Sequence, residues 1–225
     1  MSENLNHFFN LLDKYLIKDL NTMSNEIPAR NEGGGLGYPL AQTILSGMEL
    51  LGIILSGGEK DDKAFHTFWE EFIKDNPSYN KTNLEKIFRV SIRHGTAHYF
   101  LTKFGIQISK NGENDLTKTR DGNLNIDVKV LNNYFQKTYQ RIKNKINNET
   151  DGNLLKNYNK GYEKLLDDLK GVRHLIDNFN LPIYQESTST SWNYSTKENN
   201  SFPPQSQTAT ATVLPPLPHD KNKDI

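Results

Sequence analysis

Two arginines and two histidines lie close together in this sequence. Arg89 and Arg93 are four residues apart, as are His94 and His98, so a helix would carry each pair on one stripe, with the two stripes adjacent. Guanidinium groups bind phosphate bidentately, and nearby positive charge favours the neutral imidazole that a general base needs. These groups suit metal-free attack of an RNA 2′-hydroxyl on its neighbouring phosphate. A surface helix with ordinary hydrogen bonds is the alternative.

The sequence argues against a metal site and against a phosphate-binding loop. His94 and His98 have the spacing of zinc-binding helices, but Gly95 stands where such helices carry glutamate. The chain has no cysteine, which excludes thiolate metal sites and disulfides. The glycine-rich segment 33–37 lacks the Gly-Lys-Ser/Thr ending of a phosphate-binding loop, and no predicted strand precedes it. We therefore predict neither a metal nor a cofactor.

The segment Arg93-His94-Gly95-Thr96-Ala97-His98 resembles the signature of the HEPN family. That signature is an arginine, then Asn, Asp or His, then three residues and a histidine, on a late helix of an all-α bundle. Arg93 matches the arginine, His94 the polar residue and His98 the histidine. The order of predicted helices over residues 36–145 resembles the family layout as well.

Membership of this family implies a metal-independent endoribonuclease that works as a homodimer, with the arginine and histidine of both protomers meeting in a cleft. It further implies a toxin, a toxin–antitoxin component or an effector of antiviral defence. Arg93 and His98 are then catalytic, and His94 binds phosphate or tunes the pair. Gly95 in mid-helix would allow a second backbone to approach closely there.

Three further residues are predicted to bind substrate: Arg89, Tyr99 and Glu49. Glu49, on a helix expected to pack near the motif, would orient Arg93 or a histidine, or else form a purely structural ion pair. Arg89 with His94 is a second, overlapping match to the signature. HEPN toxins with a nucleotidyltransferase partner usually carry tyrosine two positions after the histidine, whereas here the tyrosine follows it directly.

Apolar spacing predicts the elements that position these residues. We expect helices over roughly the first twenty residues and over about 39–55, from 61 to the break at 76–78, and over 82–101, 129–147 and 152–178. The alternation of Ile106-Gln107-Ile108 and Leu124-Asn125-Ile126-Asp127-Val128 predicts a small β-hairpin. The predicted fold is an all-α, HEPN-like bundle of about five to six helices, with a hairpin insertion at about 105–130.

Two predicted helices have features with open alternatives. The last one carries an apolar seam from Leu155 to Phe179, which favours packing against one helix, of this chain or of a second copy. An ordinary bundle helix within the monomer is the alternative. The helix before it combines basic residues with tyrosines and forms either a surface for single-stranded RNA or an ordinary solvated face. These residues are Lys137, Arg141, Lys143, Lys145, Tyr134 and Tyr139.

Charge and hydropathy limit the partners of this chain. Its 225 residues include 27 Lys and Arg and 27 Asp and Glu, so any RNA site requires local clustering of positive charge. The start Met1-Ser2-Glu3-Asn4 lacks the basic and apolar regions of a signal peptide, and the apolar run at 50–55 is too short to span a bilayer. We therefore predict a cytoplasmic protein that does not bind membranes.

The composition changes near residue 185. Residues 1–184 are predicted to form the helical domain, and residues 185–225 a disordered tail rich in Ser, Thr, Asn, Gln and Pro. The stretch Val213-Leu214-Pro215-Pro216-Leu217-Pro218 could dock in an aromatic groove of a regulatory or effector protein, or be plain solvated tail. An adaptor recruited through this tail is a further possible function, beside the ribonuclease and a non-catalytic HEPN-like binding module.

Overall fold

Six helices and three short strands are formed by residues 3–29, 35–95 and 102–170, the part of the chain that this computed structural model describes. All of these residues belong to one structural unit, Met1–Ile176. The predicted helical bundle with a small β insertion is confirmed. The predicted tail, residues 185–225, lies outside the described residues.

The helices have the following bounds. α1 covers residues 3–26 and alternates α-helical with π-helical winding: Glu3–Leu11, Leu12–Ile17, Lys18–Asn21 and Thr22–Glu26. α2 is Gly37–Ser56 and α3 is Asp61–Asp75, followed by the 3-10 turn Pro77–Tyr79. α4 begins with Leu84–Lys86, continues as the π-helix Ile87–Arg93 and is described as far as Gly95. α5 is Val128–Asn147, and α6 is described over Gly152–Lys170.

The helix starts, and the breaks at Gly57 and at 76–78, agree with the sequence patterns to within two residues, whereas α1 continues to Glu26 and not only to about residue 20. Gly57 ends α2 in the left-handed conformation, with φ of 74°, which a glycine adopts without steric cost. Asp61 and Asp62 open α3, where the helix dipole favours acidic side chains. The last six residues of the predicted motif helix, 96–101, lie outside the described part of the chain.

α2 is the central helix, and its neighbours approach it at glycines. A Cβ atom on Gly52 would lie 1.9 Å from the carbonyl oxygen of Ala64 in α3, and one on Gly161 of α6 would lie 2.6 Å from the carbonyl oxygen of Ile53. Such distances are far inside van der Waals contact, so only glycine allows these helices to pack so closely.

By length and composition α2 is the one described helix that could cross a membrane, and half of its most apolar stretch is buried inside this bundle. A core helix of a water-soluble bundle meets the same two criteria. The burial of Leu40, Ile44, Met48 and Leu51 shows that α2 fills the centre of the bundle. Its hydropathy therefore has an explanation in helix packing.

An aromatic cluster joins α3 to α4 and α5. The ring centroids of Trp69 and Phe88 are 5.2 Å apart, and those of Phe68 and Phe135 are 5.8 Å apart. Tyr79, at the end of the 3-10 turn, packs edge-on against Phe72. Edge-on and tilted ring pairs add to the free energy from area burial, so this cluster holds α4 firmly in place.

The predicted hairpin is wrong in its strand pairing. The strands are β1 Ile106–Ser109, β2 Thr117–Lys118 and β3 Leu124–Asp127, in the order β1-β3-β2. The two predicted strands, β1 and β3, pair in parallel, and the antiparallel partner of β3 is β2. A parallel pair needs a crossover of about a dozen residues or more, and the segment 110–123 supplies it. Alternation of apolar residues does not encode strand direction.

Two aspartates attach this sheet to the bundle. One carboxylate oxygen of Asp127 accepts the N–H groups of Lys129 and Val130 and so caps α5, while the other accepts the N–H of Asn111 at 2.8 Å. Asp115 accepts the N–H of Asp127 at 2.9 Å and the hydroxyl of Tyr79 at 2.6 Å. The sheet is thereby joined to both α5 and the 3-10 turn.

The apolar seam of α6 is used within this chain over its described length. Tyr158 and Tyr162 are buried, and the Tyr162 ring lies 5.6 Å from that of Phe8 in α1. The amide of Asn157 donates a hydrogen bond to the carbonyl of Leu55 at 3.1 Å. These side chains of the seam therefore pack within this chain, as a bundle helix would.

Candidate active site

Arg93 lies near the end of the described part of α4 and pairs with Glu49 of α2. The side chain of Arg93 is 23% exposed and that of Glu49 is 16% exposed. Phe88 and Ile92, both buried, anchor α4 and direct Arg93 toward α2. The structure thus brings together two of the predicted site residues, in the contact that the sequence analysis proposed for Glu49.

The backbone that carries Arg93 is wound as a π-helix. The N–H of His94 donates to the carbonyl of Arg89, five residues earlier, rather than to the residue four positions back. The same winding occurs twice in α1, away from the motif, so it does not by itself mark a functional site. His94, the next residue, is exposed, and Gly95 is buried. An exposed imidazole therefore follows a half-buried guanidinium directly along the helix.

Arg89 pairs with a different helix from Arg93. Its guanidinium contacts Asp62 at the start of α3, and the Asp62 side chain is 62% exposed. Arg89 also lines a shallow groove of about 320 Å³ together with Trp69, Lys81 and Lys86. Arg89 and Arg93, the arginines of the two overlapping motif matches, therefore differ in environment. The partner of Arg93, Glu49, is more buried than the partner of Arg89, Asp62.

His98 and Tyr99 lie outside the described residues, so the structure does not place them. The chain is described again from Thr102, and the N–H of Lys103 donates to the carbonyl of Ser91 in α4 at 3.0 Å. Of the predicted site residues, the structure therefore brings Glu49 and Arg93 into contact. Arg89 and His94 lie on the same helix as Arg93.

Two of the four basic residues named for α5 pair with carboxylates of this chain. Arg141 pairs with Glu71 and Asp75, each at 2.8 Å, and Lys143 pairs with Asp13. Tyr139 is fully buried and donates its hydroxyl to Asp13 at 2.7 Å. These contacts pair two of the four cations and bury one of the two rings, which favours a solvated face, but both interpretations stay predictions.

The contact with Arg141 helps to lower the pKa of the Glu71 carboxyl group. Burial alone would raise the pKa of Glu71, but hydrogen bonds from Lys74 and Arg141 hold that pKa below its usual range. The ionised carboxylate is therefore favoured in the folded protein, and the ion pair between α3 and α5 persists into mildly acidic solution.

Two features escaped the sequence analysis. Lys110, after β1, is buried, and its ammonium group donates to the carbonyls of Ile27 and Gly35, which joins both ends of the α1–α2 connection to the sheet. Burial, together with the charge of Lys129, lowers the pKa of Lys110. Phe104 is fully exposed. A lone lysine and a lone phenylalanine next to a strand carry no pattern in the sequence.

No group of three His, Asp or Glu side chains in the described ranges could hold a metal ion. What the described site offers is an oriented guanidinium and an adjacent exposed imidazole, which can bind an anion and exchange a proton. Comparison with protein-family models, curated proteins and solved structures finds no match to this chain.

Proposed function

We propose that this protein is a metal-independent endoribonuclease of the HEPN type that acts as a homodimer in the cytoplasm, as a toxin or as an effector of antiviral defence. The observation that carries this proposal is the Arg93–Glu49 pair, which holds the arginine of the motif half-buried beside the exposed His94. Arg93 and His98 are the proposed catalytic residues.

The Glu49 contact supports a catalytic role for Arg93 because it orients a guanidinium that is still 23% exposed. Partial burial strengthens the charge–charge contacts that this guanidinium makes. A phosphate at this position would therefore meet a cation that is already oriented, which is the condition for stabilising a charged transition state.

In the proposed reaction the RNA supplies its own nucleophile. A neutral His98 takes the proton of a 2′-hydroxyl, whose oxygen attacks the neighbouring phosphorus while the bond to the 5′-oxygen breaks. The leaving oxygen takes up a proton from water, the protonated His98 returns its proton to solvent, and the products carry a 2′,3′-cyclic phosphate and a 5′-hydroxyl. Arg93 stabilises the pentacovalent phosphorane, and His94 binds phosphate.

The test is cleavage of a mixed RNA pool in the presence of EDTA, with the new ends mapped. We expect cyclic phosphate ends from the wild type, and rates lower by about 100-fold or more for Arg93→Ala and His98→Ala. His66→Ala is the matched control, because His66 is an exposed histidine on α3 that pairs with Glu85 outside the motif. Equal cleavage by the His98 variant and the wild type would refute the assignment.

A second candidate is a non-catalytic HEPN-like module that binds RNA, a nucleotide or a partner protein. The observation in its favour is that both Arg89 and Arg93 already pair with carboxylates, so an incoming phosphate must compete with Asp62 and Glu49. Such a module would bind its ligand equally well after His98→Ala and would leave RNA uncut. Absence of cleavage by a folded wild-type dimer, with binding intact, would favour it.

A further inference from the structure

Phe104 holds its ring entirely in solvent. Its exposure reaches 108% of that of a reference phenylalanine, and among the described residues Leu154 is the other large apolar side chain that is exposed. An aromatic side chain left in water forgoes the free energy that its burial would supply. The whole face of this ring is therefore accessible to a ligand.

The backbone around Phe104 is held by hydrogen bonds on both sides. On one side the N–H of Lys103 donates to the carbonyl of Ser91, and on the other the N–H of Leu124 donates to the carbonyl of Gly105 at 2.8 Å. The hydroxyl of Thr102 spans the turn and donates to the carbonyl of Ile106 at 3.1 Å. The ring is thus presented to solvent by an anchored turn.

This turn meets α4 near the proposed active site. The carbonyl of Ser91, which accepts the bond from Lys103, lies two residues before Arg93 and belongs to the same final stretch of the described helix. His94 is exposed on that stretch, and Lys103 is exposed beside Phe104. An aromatic ring, a lysine and the Arg93–His94 pair therefore share one end of α4.

The surroundings of Phe104 favour a nucleic acid over a protein partner. Among the described residues, its chain neighbours Lys103, Gly105 and Gln107 are exposed and polar or small, so none of them extends the ring into an apolar patch. Protein interfaces typically bury an aromatic anchor within a larger desolvated core. Unpaired nucleobases instead stack on single exposed rings, with nearby cations holding the phosphates.

We propose that Phe104 is a stacking platform for an unpaired base of single-stranded RNA, with Lys103 contacting the adjacent phosphate. This inference rests on the proposed function in taking RNA as the ligand, but it does not require that the RNA be cut. It assigns the substrate class: unpaired RNA, because a base within a duplex exposes no free face to the ring.

The experiment measures binding of a short single-stranded RNA that carries 2-aminopurine and 2′-O-methyl riboses, which prevent attack by the 2′-oxygen. Stacking on Phe104 quenches the fluorescence of 2-aminopurine. We expect Phe104→Ala to weaken binding about tenfold or more and to abolish the quenching, and Phe104→Trp to restore both. Leu154→Ala, which truncates the other exposed apolar side chain on α6, is the matched control and should bind like the wild type.

The outcomes separate this inference from catalysis. Loss of affinity in Phe104→Ala alone supports the platform even if the wild type cuts no RNA. Unchanged affinity and quenching in Phe104→Ala overturn it, even if the wild type cleaves RNA as proposed. Failure of the wild type to bind the probe overturns it as well. The inference is also overturned if Phe104→Ala converts a dimer to monomers and leaves the RNA affinity unchanged, because the ring would then be a subunit contact.

Discussion

At the residue scale, Arg93 and Glu49 form the contact on which the proposed function depends. Each side chain has lost most of its water, so each requires the other, and removing one partner would leave an uncompensated charge. A purely structural ion pair would also be destabilised by loss of one partner. The cleavage assay on Arg93→Ala therefore includes mapping of the RNA ends and the His66→Ala control.

Tyr79 and Asp115 supply a prediction at the same scale. Burial raises the pKa of Asp115 in the folded protein. The protonated carboxyl group therefore stabilises the fold at pH values below the ordinary carboxyl pKa. That contribution is lost as the pH rises through the pKa of Asp115 in the folded protein. The hydroxyl of Tyr79 opposes this effect by donating to the ionised carboxylate. Burial and the charge of Asp115 raise the pKa of Tyr79 far above its usual value, so the phenol keeps its proton.

We expect Tyr79→Phe to lower the free energy of unfolding by about 2 kcal/mol at about pH 7, because a charge-assisted hydrogen bond is lost. The loss should become smaller as the pH falls and Asp115 takes up a proton. Urea unfolding at about pH 7 and about pH 3 measures both values. Tyr134→Phe is the control, since Tyr134 packs edge-on against Tyr79 at 5.8 Å, and its effect should not vary with pH. A Tyr79→Phe loss that is equal at both pH values would contradict this account.

At the element scale, close helix packing around α2 determines where the site forms. Glu49 reaches Arg93 because α2 lies at the centre of the bundle, and α3, which contacts α2 at Gly52, also holds Asp62 near Arg89. Any change that separates α2 from α3 would therefore disturb both carboxylate partners of the motif arginines.

We expect Gly52→Ala to destabilise the protein by about 1–3 kcal/mol or more, because its methyl group would overlap the carbonyl oxygen of Ala64. Gly152→Ala, at the start of α6, is the matched control: a Cβ there meets no atom within 4 Å, so the substitution should be neutral or slightly stabilising. Thermal and urea unfolding of the two variants measure the difference. Equal stability of the two variants would argue against the close approach of α2 and α3.

At the scale of the whole molecule, the core and the predicted tail are separate in sequence. All buried apolar residues of the described part lie between Leu5 and Tyr162. The predicted tail, 185–225, has the composition of a segment that cannot form a core of its own. Stability and recruitment of partners are therefore expected to depend on different parts of the chain.

Deletion of residues 186–225 should leave the free energy of unfolding unchanged to within about 0.5 kcal/mol. RNA cleavage in vitro should be retained as well, because the proposed catalytic residues lie far earlier in the chain. Unfolding curves and the EDTA cleavage assay on the truncated protein check both expectations. Loss of cleavage from a truncated protein of unchanged stability would favour a function exerted through the tail.

Local patterns in the sequence were enough to predict much of this protein. Helix positions followed from apolar spacing, because a helix buries one stripe whatever it packs against. The breaks at Gly57 and at 76–78 followed from residues that cannot continue a helix. The candidate motif at Arg93 was visible because its residues are adjacent in the chain. Family membership and the activity it implies stay predictions.

Other features depended on the tertiary structure, because they arise between residues far apart in sequence. The parallel pairing of β1 with β3 depends on the path of the crossover, and the carboxylate that each motif arginine contacts depends on which helix lies beside it. The ion pairs of Arg141 on α5 could not be predicted either, because their carboxylates, Glu71 and Asp75, come from α3. The exposure of Phe104 depends on a turn that hydrogen bonds hold between α4 and β3. The sequence could not predict it, because the burial of a side chain depends on packing and not on residue type alone.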